Sequence, residues 1–289
     1  MINGAHILHI VWHALLDSIK LLPFLFLTYL LMELLEHRAG ERVRATVARA
    51  GRAGPLIGAG LGLFPQCGFS AAIAGLYAGR VVTLGTVVAV FLSTSDELIP
   101  IVLGSGVPVS KLATVLALKL GIALLAGFAL DLALRRRMEL HVEELCDGEH
   151  CHCERGIWRS ALHHTLHIFV FILLFNLVLG AALELIGEAR IGAFLAAVPV
   201  LGIALSALVG LIPNCAASVA IVTLWVEGII PAGAMLAGSL TGAGAGLLVL
   251  LRTNRPQREN LLAVGILLGV GILCGCLLDL TGLATAMGL

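Results

Sequence analysis

The chain has 289 residues, 59% hydrophobic and 12% charged, with 18 basic and 18 acidic side chains that balance to zero, and a mean hydropathy of +1.04. Soluble domains carry about 25% charged residues, so this composition excludes a soluble globular protein and predicts an integral membrane protein with the lipid bilayer as its first partner. No GxxxxGK[ST] phosphate loop occurs, which removes ATP hydrolysis by the chain itself and leaves a gradient or a partner as the energy source. The seven cysteines do not resemble a disulfide framework, no cofactor is implied and no nucleic-acid partner is expected.

Taken in order, the first residues, MINGAHILHIVWH, lack the Lys/Arg-rich start of a secretory signal and are expected to belong to the mature protein. Apolar stretches near 11–35, 82–104, 110–134, 160–186, 230–251 and 259–281 meet the roughly 20 residues a spanning helix needs. Residues 37–53 are too charged to span and read as an amphipathic helix on the cytoplasmic surface, or else as a solvated loop. Thirteen of the 18 Lys and Arg residues fall in three clusters, Arg38 to Arg52, Arg135 to Arg159 and Arg252 to Arg258, and the positive-inside rule puts all three in the cytoplasm. An ordinary span at 55–80 would set the first two clusters on opposite sides. A re-entrant hairpin that turns near Pro65 to Gly68 removes the conflict, and non-helical backbone at that depth is tolerated where protein or a water-filled cavity surrounds it. The same rule gives a second hairpin at about 191–226 on the opposite face, with both termini outside the cytoplasm.

The two hairpins also share sequence. Gly62 to Ser70 reads GLFPQCGFS and Gly210 to Ser218, 148 residues later, reads GLIPNCAAS, identical at five of nine positions. The register continues through Gly85 and Gly233, Gly127 and Gly275, and Asp131 and Asp279. The expected fold is an all-α polytopic membrane protein of two inverted repeats, each with three spans plus a re-entrant broken-helix hairpin. Its parts are a first repeat at 1–134, a cytoplasmic linker at 135–157 and a second repeat at 158–289. Duplicated apolar halves interrupted at matching positions are the signature of secondary transporters with a site near the midplane.

Several polar groups interrupt the apolar background. Pro in each hairpin tip breaks the helix and frees carbonyls, beside which Gln66, Cys67 and Ser70, or Asn214, Cys215 and Ser218, supply candidate ligands; the alternative is a stabilised kink with small packing cysteines. Ser93 to Glu97, STSDE, interrupts an otherwise apolar span and is followed by Pro100. Ser93 and Thr94 are further candidates. Asp96 or Glu97 is the best candidate for a cation ligand or proton carrier, since a charge at such depth costs roughly 2.5–3.5 kcal/mol or more; pairing with Lys119 or Lys20 is the structural alternative. Adjacent residues of a helix diverge, so only one of the two carboxylates is expected to face a cavity. The counterpart segment TGAGAG begins at Thr241, a candidate without charge. Asp17 and Lys20 in the first span, and His164 and His167 in the span following the linker, are candidates for coupling, with interfacial histidines as the alternative. His6, His9 and His13 read as surface histidines. Asp131 and Asp279 read as capping or pairing residues. In the linker, Cys146, His150, Cys151, His152 and Cys153 offer thiolates and imidazoles to a soft or borderline metal, or form a polar linker only.

FPQCGFS, STSDELIP, IPNCAAS and the paired spans beginning near Trp12 and Trp158 resemble, over essentially the whole chain, the ten-helix heavy-metal exporter or manganese transporter family related to the arsenical efflux permeases. That resemblance implies a multi-pass inner-membrane efflux permease, not an enzyme, whose partners are the transported ion and a proton, with a homodimer left open. Oxygen ligands favour Mn(II) and the tip cysteines favour trivalent arsenic. An importer or anion permease on the same fold is the alternative, because helix N-termini attract anions. An intramembrane enzyme with Cys67 or Cys215 as nucleophile and His164 as base ranks last, since one catalytic centre gains nothing from duplication.

Overall fold

The computed structural model describes residues 53–64, 67–134, 157–186, 199–287 and 289, together with part of the stretch 11–31. Residues 37–52 of the surface helix expected at 37–53, His6, His9, His13, Asp17, Lys20, Gln66 and the linker residues Cys146, His150, Cys151, His152 and Cys153 lie outside the described residues, as does the side chain of Cys67. All described secondary structure is helical. Among the described residues, five helices are long and apolar enough to cross a membrane: Leu84–Gly104, Val109–Leu134, Ala161–Val178, Ala232–Thr253 and Gln257–Leu280.

Twelve described helices are numbered here in chain order. In the first half they are α1 (Gly54–Gly62), α2 (Cys67–Ala78), α3 (Leu84–Ser93), α4 (Leu98–Gly104) and α5 (Val109–Leu134). After α6 (Ile157–Ile186) come α7 (Pro199–Gly210), α8 (Cys215–Val226), α9 (Ala232–Thr241), α10 (Ala245–Thr253), α11 (Gln257–Leu280) and the short α12 (Leu283–Ala286). Displacing α2 and α3 by 148 residues gives the bounds of α8 and α9, and the same shift carries the end of α1 to that of α7 and the start of α5 to that of α11. The duplication seen in the sequence is thus matched by these helix bounds.

The physical causes recur as well. Pro55 opens α1 at a position where its missing N–H is not needed. Thr83 caps α3 by accepting from the Thr86 N–H at 3.1 Å, and Asn214 caps α8 by accepting from the Ala216 N–H at 2.8 Å. At about 1.5 Å per residue, α1 and α2 are roughly 14 and 18 Å long, too short for a hydrocarbon core of about 30 Å.

Close glycine contacts give the helix directions. A Cβ on Gly54, Gly58 or Gly62 would meet Thr86, Val90 and Ser93 in turn, so α1 runs parallel to α3. Because α2 ends six residues before α3 begins, α1 and α2 form a helical hairpin whose open end lies beside the start of α3. A Cβ on Gly85 would lie 2.2 Å from Asp131 Oδ1 and one on Gly127 would lie 2.9 Å from Ala89 Cβ, so α3 and α5 are antiparallel. The second half repeats both relations, with Gly210 against Thr241 and Gly233 against Asp279. The Gly85 N–H donates to Asp131 Oδ1 at 3.0 Å and the Gly233 N–H to Asp279 Oδ1 at 2.8 Å. Each aspartate thus caps the start of the neighbouring helix, the role read for it from the sequence.

The core lies on the two interrupted spans. All ten residues of α3 and all ten of α9 are buried, as expected of helices apolar on every side. The span containing α9 and α10 is 83% buried and that containing α3 and α4 is 61% buried, against 28% for α5 and for α11, which ring them. The halves interlock through their hairpins: α2 packs along α10 of the other half, and α8 packs against α4.

Candidate functional site

Both interrupted spans break in the middle, at 94–97 and 242–244. In the first, Ser93 Oγ and Thr94 Oγ1 both donate back to the Val90 carbonyl, at 3.0 and 2.8 Å, a competition with the backbone ladder that bends helices. Ser95 Oγ donates to the Ser93 carbonyl at 2.9 Å. Pro100 then has no N–H to offer the Asp96 carbonyl. In the second, Gly244 sits at φ 53°, in the left-handed region where a side chain would be strained.

Between the breaks lies a pocket of about 30 Å³ lined by Thr94, Ser95, Asp96, Glu97, Lys119, Cys215, Ser218, Ser239, Gly242 and Gly244, with Leu98, Ile221 and Val222 as its apolar wall. That volume accommodates a water or a small ion. Asp96 and Glu97 both line it, which corrects the expectation that only one would do so. The expectation assumed helical geometry, whereas both residues sit in the non-helical turn. Lys119, in the middle of the 26-residue α5, is fully buried. Its ammonium donates to the Thr94 carbonyl at one break and, at 2.9 Å, to the Ser239 carbonyl beside the other. The Asp96 carboxylate is close enough to act on its charge. A buried ion needs compensating partners, and Lys119 draws them from both halves.

Of the residues singled out from the sequence, Thr94, Asp96, Glu97, Cys215 and Ser218 meet at this pocket. Ser93, Ser70, Asn214 and Thr241 do not line it. Ser93 is bonded within its own helix, Ser70 is buried beside Gly246 and Asn214 is a helix cap. Thr241 Oγ1 lies within bonding distance of the Ala207, Ala237 and Gly238 carbonyls, at 2.8, 3.2 and 3.1 Å, which locks α9 to α7. Sequence reasoning missed Lys119, Ser95 and Ser239 as site residues. A lysine inside an apolar span carries the same signal that singled out Asp96, so Lys119 was accessible to that rule.

No protein-family model, curated protein or solved structure matches the chain.

The histidines of α6 stand apart from the pocket. His164 stacks on Tyr29 with ring centroids 5.6 Å apart. His167 Nε2 lies 3.0 Å from Arg252 Nη2; arginine can only donate, so Nε2 is the acceptor in this contact. Arg252 also lies over the Phe171 ring, 5.6 Å from its centroid. Cys274 and Cys276 are half-buried among core residues. Among the described residues no three His, Cys, Asp or Glu side chains converge into a metal-holding group, so a cation at the pocket would rely on two carboxylates supplemented by hydroxyl and carbonyl oxygens.

Proposed function

We propose that the chain is a secondary-active transporter with two inverted repeats, and that it exports a heavy-metal cation or metalloid through the pocket between the helix breaks. The observation that carries this reading is the meeting of Asp96, Glu97 and Lys119 with residues of both halves at two mid-helix breaks in an otherwise apolar chain. Broken helices expose backbone carbonyls to a cation, and pseudo-symmetric halves allow the pocket to open to either side in turn. The inversion is supported by the contacts. The open end of the first hairpin lies beside Thr86 and Asp131, that of the second beside Asp279, and α11 runs from the Arg80 end to Asp279. Arginines 252, 255 and 258 at the Arg80 end favour that end as cytoplasmic, in keeping with the proposal that both termini lie outside the cytoplasm and that the membrane is a cell inner membrane.

Mn(II) is favoured over trivalent arsenic. The described lining has two carboxylates and the hydroxyls of Thr94, Ser95, Ser218 and Ser239 against one thiol, Cys215, and oxygen donors suit the harder ion. Proton exchange is the proposed driving force. Purified protein in proteoliposomes is expected to move Mn(II) against an imposed pH gradient, and the Asp96→Asn, Glu97→Gln double variant to lose at least about tenfold of that flux while inserting normally. Full flux in the double variant ends the cation-site reading. An anion permease is the second reading, favoured by the Lys119 ammonium and by the N-terminus of the 12-residue α8 at the same pocket; it predicts that Lys119→Met abolishes flux and that the acid variants do not.

A further inference from the structure

Lys119 does at this pocket what a bound cation would do. Its ammonium is held by two backbone carbonyls, Thr94 from the first break and Ser239 from the turn before the second, with the Asp96 carboxylate supplying the opposite charge. Those carbonyls belong to helix ends, where the last C=O groups lack intrahelical donors, and such freed carbonyls coordinate cargo ions in broken-helix transporters. The duplication isolates the feature. The counterpart of Lys119 is Leu267, equally buried at 0% exposure, so the fold at this position does not require an amine, and an apolar side chain of similar length fits the same frame. The described ionisable groups facing the ammonium are Asp96 and Glu97 from the first break and Cys215 from α8; α9 contributes Ser239 alone.

We infer that Lys119 is a tethered cation occupying the cargo position. It holds the two breaks together while the pocket is empty, and a cargo ion binds only as the ammonium withdraws from the Thr94 and Ser239 carbonyls. This rests on the reading of the pocket as a cation site and adds a competitor built into the chain. It accounts for a pocket of only about 30 Å³ among so many polar groups: the lysine fills the rest. Removing the ammonium opens the site, and replacing it with a free amine restores the competition.

The test uses full-length protein in detergent and in proteoliposomes, with Lys119→Met and Lys119→Ala variants. Propylammonium, which matches the side chain beyond Cβ, is expected to raise the thermal unfolding midpoint of Lys119→Ala but not of the wild type, and 1-propanol, alike in size and uncharged, to leave both unchanged. Mn(II) affinity, read by the paramagnetic resonance of the free ion, is expected to tighten about tenfold in Lys119→Met if the ammonium occupies the site nine-tenths of the time. Propylammonium is then expected to weaken Mn(II) binding competitively in Lys119→Ala. Stabilisation of Lys119→Ala equally by amine and alcohol, or by neither, overturns the tethered-cation assignment, as does unchanged or weaker Mn(II) affinity in folded Lys119→Met. If the amine stabilises selectively yet the wild type moves no ion, the assignment stands and the transporter reading fails.

Discussion

Replacing Gly85 with alanine tests the crossing of α3 over α5, on which the interrupted span depends. A Cβ at this position would lie 2.2 Å from Asp131 Oδ1 and 2.3 Å from the Gly127 carbonyl oxygen. The second of these is backbone and cannot swing aside. Overpacking of this kind costs about 1–3 kcal/mol. If α5 retreats instead, the Gly85 N–H to Asp131 bond at 3.0 Å lengthens as well, and a hydrogen bond to a charged group contributes about 1.5–3 kcal/mol. Alanine returns about 0.5–1 kcal/mol through its better helix propensity, so the net loss is expected near 2–5 kcal/mol. Gly233→Ala should behave alike, because its Cβ would meet the Gly275 carbonyl oxygen at 2.4 Å and Asp279 Oδ2 at 2.5 Å. Gly121→Ala and Gly265→Ala are controls on α5 and α11, the long helices that Gly85 and Gly233 pack against, with nothing within 4 Å of the added carbon, and should be neutral or slightly stabilising. Thermal unfolding of each variant in one detergent, followed by the fraction that stays monodisperse on size exclusion, separates the groups. Equal midpoints for Gly85→Ala and Gly121→Ala would refute the close crossing.

At the Arg80 end, Glu259 Oε2 accepts from Tyr77 Oη and from Arg80 Nη1, each at 2.7 Å. Because Glu259 is about a third exposed, Glu259→Gln is expected to cost only about 1 kcal/mol, and Tyr77→Phe a similar amount through loss of one hydrogen bond; their double variant should fall short of the sum, since both act on one carboxylate oxygen. Strict additivity in unfolding midpoints would show that the two bonds are independent. Asn214→Ala is expected to cost about 1 kcal/mol and Asn214→Ser, another good cap, to recover most of it. Loss of ion flux in Asn214→Ser, with stability intact, would make Asn214 a cargo ligand instead of a helix cap.

What was legible in the sequence was whatever repeats or breaks a local rule. The Lys and Arg clusters on either side of 55–134 called for a hairpin at 55–80, the GLIPNCAAS copy of GLFPQCGFS marked its counterpart, and STSDE followed by Pro100 announced the first break. Ser93, Thr241 and Asn214 were credited as ligands because they are polar and deep, but hydroxyls and amides at such positions also bond the nearest backbone, and that is where the structure puts them. Lys119 was legible as a lysine inside an apolar span, but its bridging role was not. Its principal partners are the carbonyls of Thr94 and Ser239, 25 and 120 residues away, and a carbonyl leaves no mark in a side-chain pattern. The bond between Arg80 and Glu259 spans 179 residues and has no local signature at all.

The duplication extends to the backbone and stops short of the chemistry. Asp96 and Glu97 stand where the second half has Gly244 and Ala245, Lys119 where it has Leu267, and Tyr77, Arg80 and Glu259 where the corresponding positions hold Trp225, Gly228 and Lys111. A frame with two equivalent hairpins has two equivalent ways to pack them, yet here α2 lies along α10 far more extensively than α8 along α4. The Arg80–Glu259 bond reinforces the first contact, and the matching positions of the other contact do not hold the residues for a counterpart. Under the transporter reading, alternation exchanges these two contacts: the hairpin at the Arg80 end loosens as the other tightens. One set of charges at the centre then serves both states, because Lys119 touches both breaks, and the latch at one end sets which state the empty protein prefers. A ligand shifts such a balance only by its differential affinity for the two states. Glu259→Gln should therefore change which side of an empty protein admits a thiol probe at Cys215, whereas Asp96→Asn should change how cargo shifts it; the same effect from both variants would mean that latch and pocket are one element rather than two.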